Sequence, residues 1–158
     1  EAHAGDLVLD VGCGSGLFTN VLAGKLSPGS RICAVDKSSF GASTSMSNGV
    51  FVDFRKADFI NDDLNFHNLD GILMANSFHY VSGKGAMIHK MKGWLKNNGM
   101  FIIVEYDTQR ANRWVPYPLS FEALVKLFNE AGYTQISKTG ERNSIYRREK
   151  MYVCTVKP

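Results

Sequence analysis

The run Asp10-Val11-Gly12-Cys13-Gly14-Ser15-Gly16 constrains this chain more than any other stretch. It follows a short apolar run, Leu7–Val11. It precedes Leu17–Leu26, where Leu17, Val21 and Leu22 recur at helical spacing with Phe18 and Leu26 close to the same face. A strand, three alternating glycines and a helix make a β-loop-α unit. Glycine is needed where backbone turns tightly or approaches a ligand without a Cβ in the way. The helix that follows points free N–H groups back at the loop, so an anionic group can sit there.

The rest of the chain repeats the alternation. Arg31–Val35, Val50–Lys56, Leu69–Ala75 and Met100–Tyr106 read as further strands. Ser38–Asn48, rich in Ser, Gly and Thr, reads as a poor or frayed helix. Asn61–Asn68 is polar and reads as a loop, while Asp70 serves the end of its strand. Ala86–Lys96 reads as a helix with Met87, Ile88, Met91 and Leu95 on one face and Asn97-Asn98-Gly99 as its stop. A long loop, Asp107–Leu119, leads to Ser120, a good N-cap for a helix over Phe121–Ala131 that ends at Gly132. Tyr133–Lys138 and Met151–Val156 read as a closing hairpin. The fold expected is α/β: a doubly wound, mostly parallel seven-stranded sheet with helices on both faces and a C-terminal antiparallel hairpin. One domain over residues 1–158 accounts for the whole pattern.

Composition narrows the function classes. At 158 residues and 44% hydrophobic, the chain can bury a core without disulfides or metal. No apolar run reaches the roughly 20 residues of a membrane helix, and EAHAGD lacks the basic start of a signal peptide. Cys13, Cys33 and Cys154 are widely spaced, giving neither a disulfide framework nor zinc spacing, so no metal is expected and a reducing, cytoplasmic setting fits. Residues 1–79 carry five Lys/Arg against nine Asp/Glu, and residues 80–158 thirteen against six. That asymmetry leaves an anionic or RNA partner open, but it is also the ordinary look of a solvated surface.

Spacing then sorts the cofactors that glycine loops receive. A phosphate-cradling loop needs GxxxxGK[ST], and no Lys follows Gly16. A dinucleotide fingerprint needs a third Gly or Ala where this chain has Leu17. What remains, D-x-G-x-G-x-G, resembles the first signature of the class I S-adenosylmethionine-dependent methyltransferases. Asp36 ends the second strand, where a carboxylate can accept hydrogen bonds from both ribose hydroxyls. Ala57-Asp58-Phe59, Asp70–Asn76 and Lys96–Met100 are similar to later motifs of that family, with Asn97 where the family has proline. The resemblance spans about Leu7 to Val156 and is closest to the small-molecule branch of ubiquinone- and menaquinone-biosynthesis type.

The resemblance implies S-adenosylmethionine as cofactor, a Rossmann-like methyltransferase fold, and a binding set of Asp10, Gly12, Cys13, Gly14, Gly16, Asp36, Lys37, Ala57, Asp58, Phe59 and Asn76. It gives Asp10 the methionine amino group and Asp58 the adenine amino group. His79 is the candidate general base, because its unperturbed pKa lies near working pH; a packed histidine is the plain alternative. Tyr80, Trp114 and Tyr117 are candidates for contact with the acceptor, against the alternatives that Tyr80 is a core residue and that Trp114 and Tyr117 clamp their loop onto the next helix. Arg110 and Arg113 either hold an anionic acceptor or are solvated.

The fourth-strand end, Ala75-Asn76-Ser77-Phe78, has no [ND]PP[YFW], and no cysteine stands near it for attack on cytosine. Nucleic acid is therefore disfavoured and a small-molecule acceptor, methylated at O, N or C, is expected. A cofactor-binding module without turnover and an RNA methyltransferase remain alternatives. In that family helices usually precede the first strand, so six residues before Leu7 suggest a core lacking its N-terminal cap. A homo-oligomer or the Asp107–Leu119 loop would then close the site.

Overall fold

The computed structural model describes residues 5–38, 43–145 and 149–158. Five strands run parallel through its centre: β1 (Leu7–Val11), β2 (Arg31–Asp36), β4 (Phe51–Lys56), β5 (Leu69–Ala75) and β6 (Leu95–Tyr106). β3 (Thr44–Ser45) joins one edge antiparallel to β4. β7 (Gln135–Asn143) and β8 (Lys150–Lys157) form an antiparallel pair at the other edge. The strand order is β3-β4-β2-β1-β5-β6-β8-β7. The order reverses direction beside β1, and in open α/β sheets ligands bind in the crevice at such a switch.

Alternation along each strand sends side chains to two faces. α2 (Lys84–Lys92) and α3 (Phe121–Glu130) cover one face, packing Met87, Ile88, Met91, Leu124 and Phe128 against Leu9, Ile72, Met74, Phe101, Ile103 and Tyr152. α1 (Leu17–Ala23) covers the other, where Ala23 and Leu22 meet Ile32, Ala34, Val50 and Val52. Helices thus lie on both faces and the hairpin closes the sheet, as the sequence pattern predicts. Among the described residues no helix is long and apolar enough to cross a membrane.

Four expectations are corrected. The sheet has eight strands, not seven, because Thr44 and Ser45 pair with Val52 and Phe51. This replaces part of the frayed helix expected over 38–48, whose residues 39–42 lie outside the described ones. Ser43 Oγ donates to Asp53 at 2.7 Å and Met46 N to Val50 O at 2.7 Å, so this polar segment satisfies itself at a strand edge. The helix expected over 86–96 stops instead at Gly93, and β6 already begins at Leu95. Leu95 pairs with Leu69, and the intervening Asn97-Asn98-Gly99 sits in a register shift before Met100 pairs with Gly71.

The helix expected over 17–26 ends at Ala23 and is rotated from its expected face. Thr19 and Ala23 are buried, whereas Leu17 and Val21 are 66% and 57% exposed. At the amino end of β5, Asp70 accepts from Leu7 N at 2.8 Å and pairs with Lys96 at 2.6 Å. It serves strand-end structure there, far from the glycine loop.

Candidate functional site

A cavity of about 360 Å³ opens at the carboxyl ends of β1, β2, β4 and β5, lined by Gly12, Gly14, Asp36, Lys37, Asp58, Phe59, Ile60, Asn76, Ser77 and Tyr80. Gly12 has φ +73° and lies against the end of β5: a Cβ there would stand 2.5 Å from Ser77 Cβ. Ser77 Oγ donates to Val11 O at 2.6 Å, which ties the two strand ends together. Gly14, at φ +53°, has open space where its Cβ would be, so its backbone is bare to the cavity. Asp36 fixes this loop. Its Oδ2 accepts from Gly14 N at 2.9 Å and its Oδ1 from Ser38 N at 2.8 Å. Each carboxylate oxygen keeps a second acceptor position.

Asp58 is a turn acid as well as a cavity residue. It accepts from the backbone of Ile60 and Asn61 and from Asn61 Nδ2 at 2.8 Å. These bonds, the Asn61 side chain first, hold its carboxyl below the usual carboxylate range. Three accepted bonds leave one free position, on Oδ2.

Two buried acceptors at this end of the sheet have no partner among the described residues: Asp10 Oδ1 and Asn76 Oδ1. Asp10 is 1% exposed, and its other oxygen accepts from Thr19 Oγ1 at 2.6 Å. Asn76 adopts φ +55°, an uncommon conformation for a residue with a Cβ, and lines the cavity. Orphaned buried acceptors cost free energy and are rare. Asn76 is the one of the two on the cavity wall, where a ligand N–H donor would supply the missing partner.

Burial pushes the Asp10 carboxyl up to about 6, against the Thr19 hydroxyl, which favours the anion; the charge of Asp36 adds to the rise. The folded protein therefore takes up a proton below about pH 6 that the unfolded chain takes up only below 3.8. Stability falls as pH rises through that window, by up to about 3 kcal/mol. Asp10→Asn is expected to flatten this slope and to raise the denaturation midpoint at pH 7, as urea titrations at pH 5 and pH 7 would read. An unchanged slope would place the titration elsewhere.

Next to Tyr80 of the cavity wall lies a buried acid–base pair. His79 sits in a 3-10 turn, Phe78–Tyr80, and its Nδ1 is 2.7 Å from Glu105 Oε2 on β6. The pair is buried on both sides, at 3% and 1% exposure. Glu105 Oε1 also accepts from the backbone N–H groups of Phe78 and His79, at 2.9 and 3.1 Å. A carboxylate can only accept, so Nδ1–H is the donor to Glu105 and Nε2 is the ring nitrogen left outside this bond. Tyr80 lines the cavity and packs against the imidazole, with ring centroids 4.4 Å apart.

The structure thus brings Gly12, Gly14, Asp36, Lys37, Asp58, Phe59, Asn76 and Tyr80 to one cavity. Asp10, Cys13, Gly16 and Ala57 do not line it. Gly16, at φ +84°, instead starts α1 against the Phe54 ring, and Asp10 supports the loop from beneath. Phe59 is 8% exposed and packs into the core. Trp114 and Tyr117 are 65% and 47% exposed on the 107–119 loop. Sequence reasoning missed Glu105. Its one signal was an acid inside the apolar run Phe101–Tyr106, where a charge is buried only with partners.

Residues 9–101 match a family model described as a methyltransferase domain. Among solved structures, the CurJ carbon methyltransferase superposes with a TM-score of 0.74 at 18% identity, over 99% of this chain and 49% of that one. The chain therefore spans about half the length of that relative. The Burkholderia thailandensis 1,6-didemethyltoxoflavin-N1-methyltransferase, solved with 1,6-didemethyltoxoflavin and S-adenosylhomocysteine, gives 0.70 at 19% identity, covering 96% of this chain and 70% of that one. The YcgJ protein of Bacillus subtilis gives 0.73 at 14%, covering 99% and 93%. At these identities the likeness is one of fold. No curated protein matches the chain by sequence.

Proposed function

This chain belongs to the family of methyltransferase domains, and we propose that it binds S-adenosylmethionine at the glycine-loop cavity and methylates a small-molecule acceptor at O, N or C. The observation that carries this reading is the orphaned buried acceptor Asn76 Oδ1 on the cavity wall, with the buried Asp10 carboxyl behind the glycine loop. An ammonium group offers three donors: the methionine end of the cofactor satisfies Asn76 Oδ1 on the cavity wall, and Asp10, behind the glycine loop, acts on it through its negative charge. Asp36 has two acceptor positions left for ribose hydroxyls. Asp58 Oδ2 has one left for the adenine amino group, with Phe59 and Ile60 beside it.

Bound there, S-adenosylmethionine supplies an electrophilic methyl group on a sulfonium. The protein's own work is mostly placement, which is worth effective molarities of about 10⁵–10⁸ M in well-oriented reactions. Gly12 and Gly14 let backbone approach closely. Glu105 holds His79 in the tautomer whose Nε2 can take a proton, so an acceptor that arrives protonated is deprotonated as it attacks. Tyr80, Tyr117 and Trp114 supply exposed aromatic surface for an acceptor that is itself flat or apolar. We place the acceptor in the small-molecule branch that the sequence resembles, of ubiquinone- and menaquinone-biosynthesis type, and the protein in the cytoplasm.

Calorimetry with S-adenosylhomocysteine tests the reading, and micromolar-range binding is the expected result. Asp36→Ala removes the carboxylate that holds Gly14 N and the ribose, and should weaken binding by about 100-fold. Affinity should also fall below about pH 6, where Asp10 is protonated and its charge no longer attracts the ammonium. No binding by the folded protein would sink the proposal.

A further inference from the structure

Lys84 opens α2, and its half-buried side chain reaches across to the 107–119 loop. Its Nζ lies 2.7 Å from Val81 O and 2.7 Å from Tyr117 O. It sits over the rings of Phe78 and Tyr117, at 5.6 and 5.7 Å from their centroids. Burial lowers its pKa, and the attraction of Glu105 opposes that shift. Tyr117 is held from its other side as well, because its own N–H donates to His79 O at 3.0 Å. One loop residue is thus bonded through both backbone groups to the turn that carries His79, once directly and once through Lys84.

We propose that Lys84 is a positioning residue, a clamp that locks the 107–119 loop onto the His79 turn so that the Trp114–Tyr117 acceptor wall stays in register with the His79–Glu105 pair. The proposal deepens the function proposed above and rests on it for its catalytic meaning. The clamp itself is a statement about Lys84, Tyr117 and His79 alone. An ammonium between two carbonyls and two aromatic faces makes charge-assisted hydrogen bonds and cation–π contacts in a partly desolvated place, where both are stronger than at an open surface. The turn on one side is fixed by Glu105 through two backbone N–H groups. The loop on the other side has Val115 and Leu119 buried and Tyr152 Oη donating to Leu119 O at 2.9 Å. Lys84 joins two fixed ends across the segment that carries the exposed aromatics.

The test compares Lys84→Met, which keeps the stem and deletes the ammonium, with Lys84→Arg, which keeps a donor. Amide hydrogen exchange at Tyr117 and acrylamide quenching of Trp114 are read in the protein saturated with S-adenosylhomocysteine and without it; Trp94 is buried and contributes little quenching. Lys84→Met should speed exchange at Tyr117 by about tenfold or more and raise Trp114 quenching, with exchange in β1, β5 and α3 unchanged. Lys84→Arg should recover most of the protection. For an acceptor found by scoring S-adenosylhomocysteine release, Lys84→Met should raise the acceptor KM about tenfold while leaving S-adenosylhomocysteine affinity within twofold.

Unchanged Tyr117 exchange overturns the clamp. So does loss of protection spread evenly over α2 and the sheet, which would make Lys84 a general stabiliser. If Lys84→Met does not fold, Lys84→Gln, which can serve one carbonyl, decides by the same exchange measurement. Failure of S-adenosylhomocysteine to bind the parent protein would defeat the cofactor reading, while the exchange at Tyr117 would still decide the clamp.

Discussion

Glu105→Gln should fold and bind S-adenosylhomocysteine like the parent, yet transfer methyl groups about 10²–10⁴-fold more slowly. The amide oxygen can still accept from the N–H groups of Phe78 and His79, which Glu105 Oε1 serves at 2.9 and 3.1 Å. The turn is therefore retained. The amide nitrogen, however, stands where Oε2 accepted from His79 Nδ1 at 2.7 Å, and it can only donate. The imidazole must then present a lone pair at Nδ1 and move its proton to Nε2. A base with a proton on its working nitrogen cannot take another from the acceptor.

Glu105→Ala differs in kind. It leaves the histidine and two backbone N–H groups buried without an acceptor, and should cost about 3–5 kcal/mol in stability as well as activity. Single-turnover rates, with calorimetry for the ligand and urea midpoints for stability, separate the two variants. Full turnover by Glu105→Gln would show that His79 is a packed histidine and that the acceptor reacts without a base.

Gly12→Ala is expected to be the most damaging single methyl in the glycine loop. The residue is held at φ +73°, and its Cβ would meet Ser77 Cβ at 2.5 Å and the Phe59 ring at 3.3 Å. An alanine in that backbone region costs about 1–2 kcal/mol by itself. The overlap with Ser77 adds about 1–3 kcal/mol more, because the end of β5 must shift and the Ser77–Val11 hydrogen bond stretches with it. The sum corresponds to a fall in Tm of about 10 °C for a chain of this size.

Gly14→Ala is the control. Its Cβ meets nothing within 4 Å, so only the backbone at φ +53° resists, and the loss should be about 1–2 kcal/mol. Because Gly14 lines the cavity, the main effect should appear in S-adenosylhomocysteine affinity. Equal Tm losses for the two variants would mean that φ alone matters and that the contact with Ser77 does not.

The legible part of this protein lies in segments where local spacing and burial coincide. β1, its glycine loop and α1 were readable because alternating glycines between an apolar strand and a helix have few other uses. Asp36 and Asp58 were readable as strand-end acids. The boundary of α2 was not: Leu95 continues the helical spacing of Ile88 and Met91, yet it pairs with Leu69 in the sheet. The face of α1 was not readable either. Both Leu17 and Leu22 fit a helical stripe, and only the position of the sheet decides that Leu22 packs while Leu17 stays exposed.

By itself the sequence determined the parallel α/β sheet, the cavity at the ends of its strands and most of the residues lining it, because strand alternation and glycine spacing are local properties. Only the tertiary structure decided what supports that cavity. Glu105 is 26 residues from His79, and Tyr117 is 33 from Lys84. A hydrogen bond between such residues exists only when two strands or a loop and a helix are brought together. The register of β5 against β6, which pairs Ala75 with Val104, places Glu105 under the His79 turn. No spacing rule carries that register, because it is set by the packing of both strands against α2 and α3 rather than by either strand's own residues.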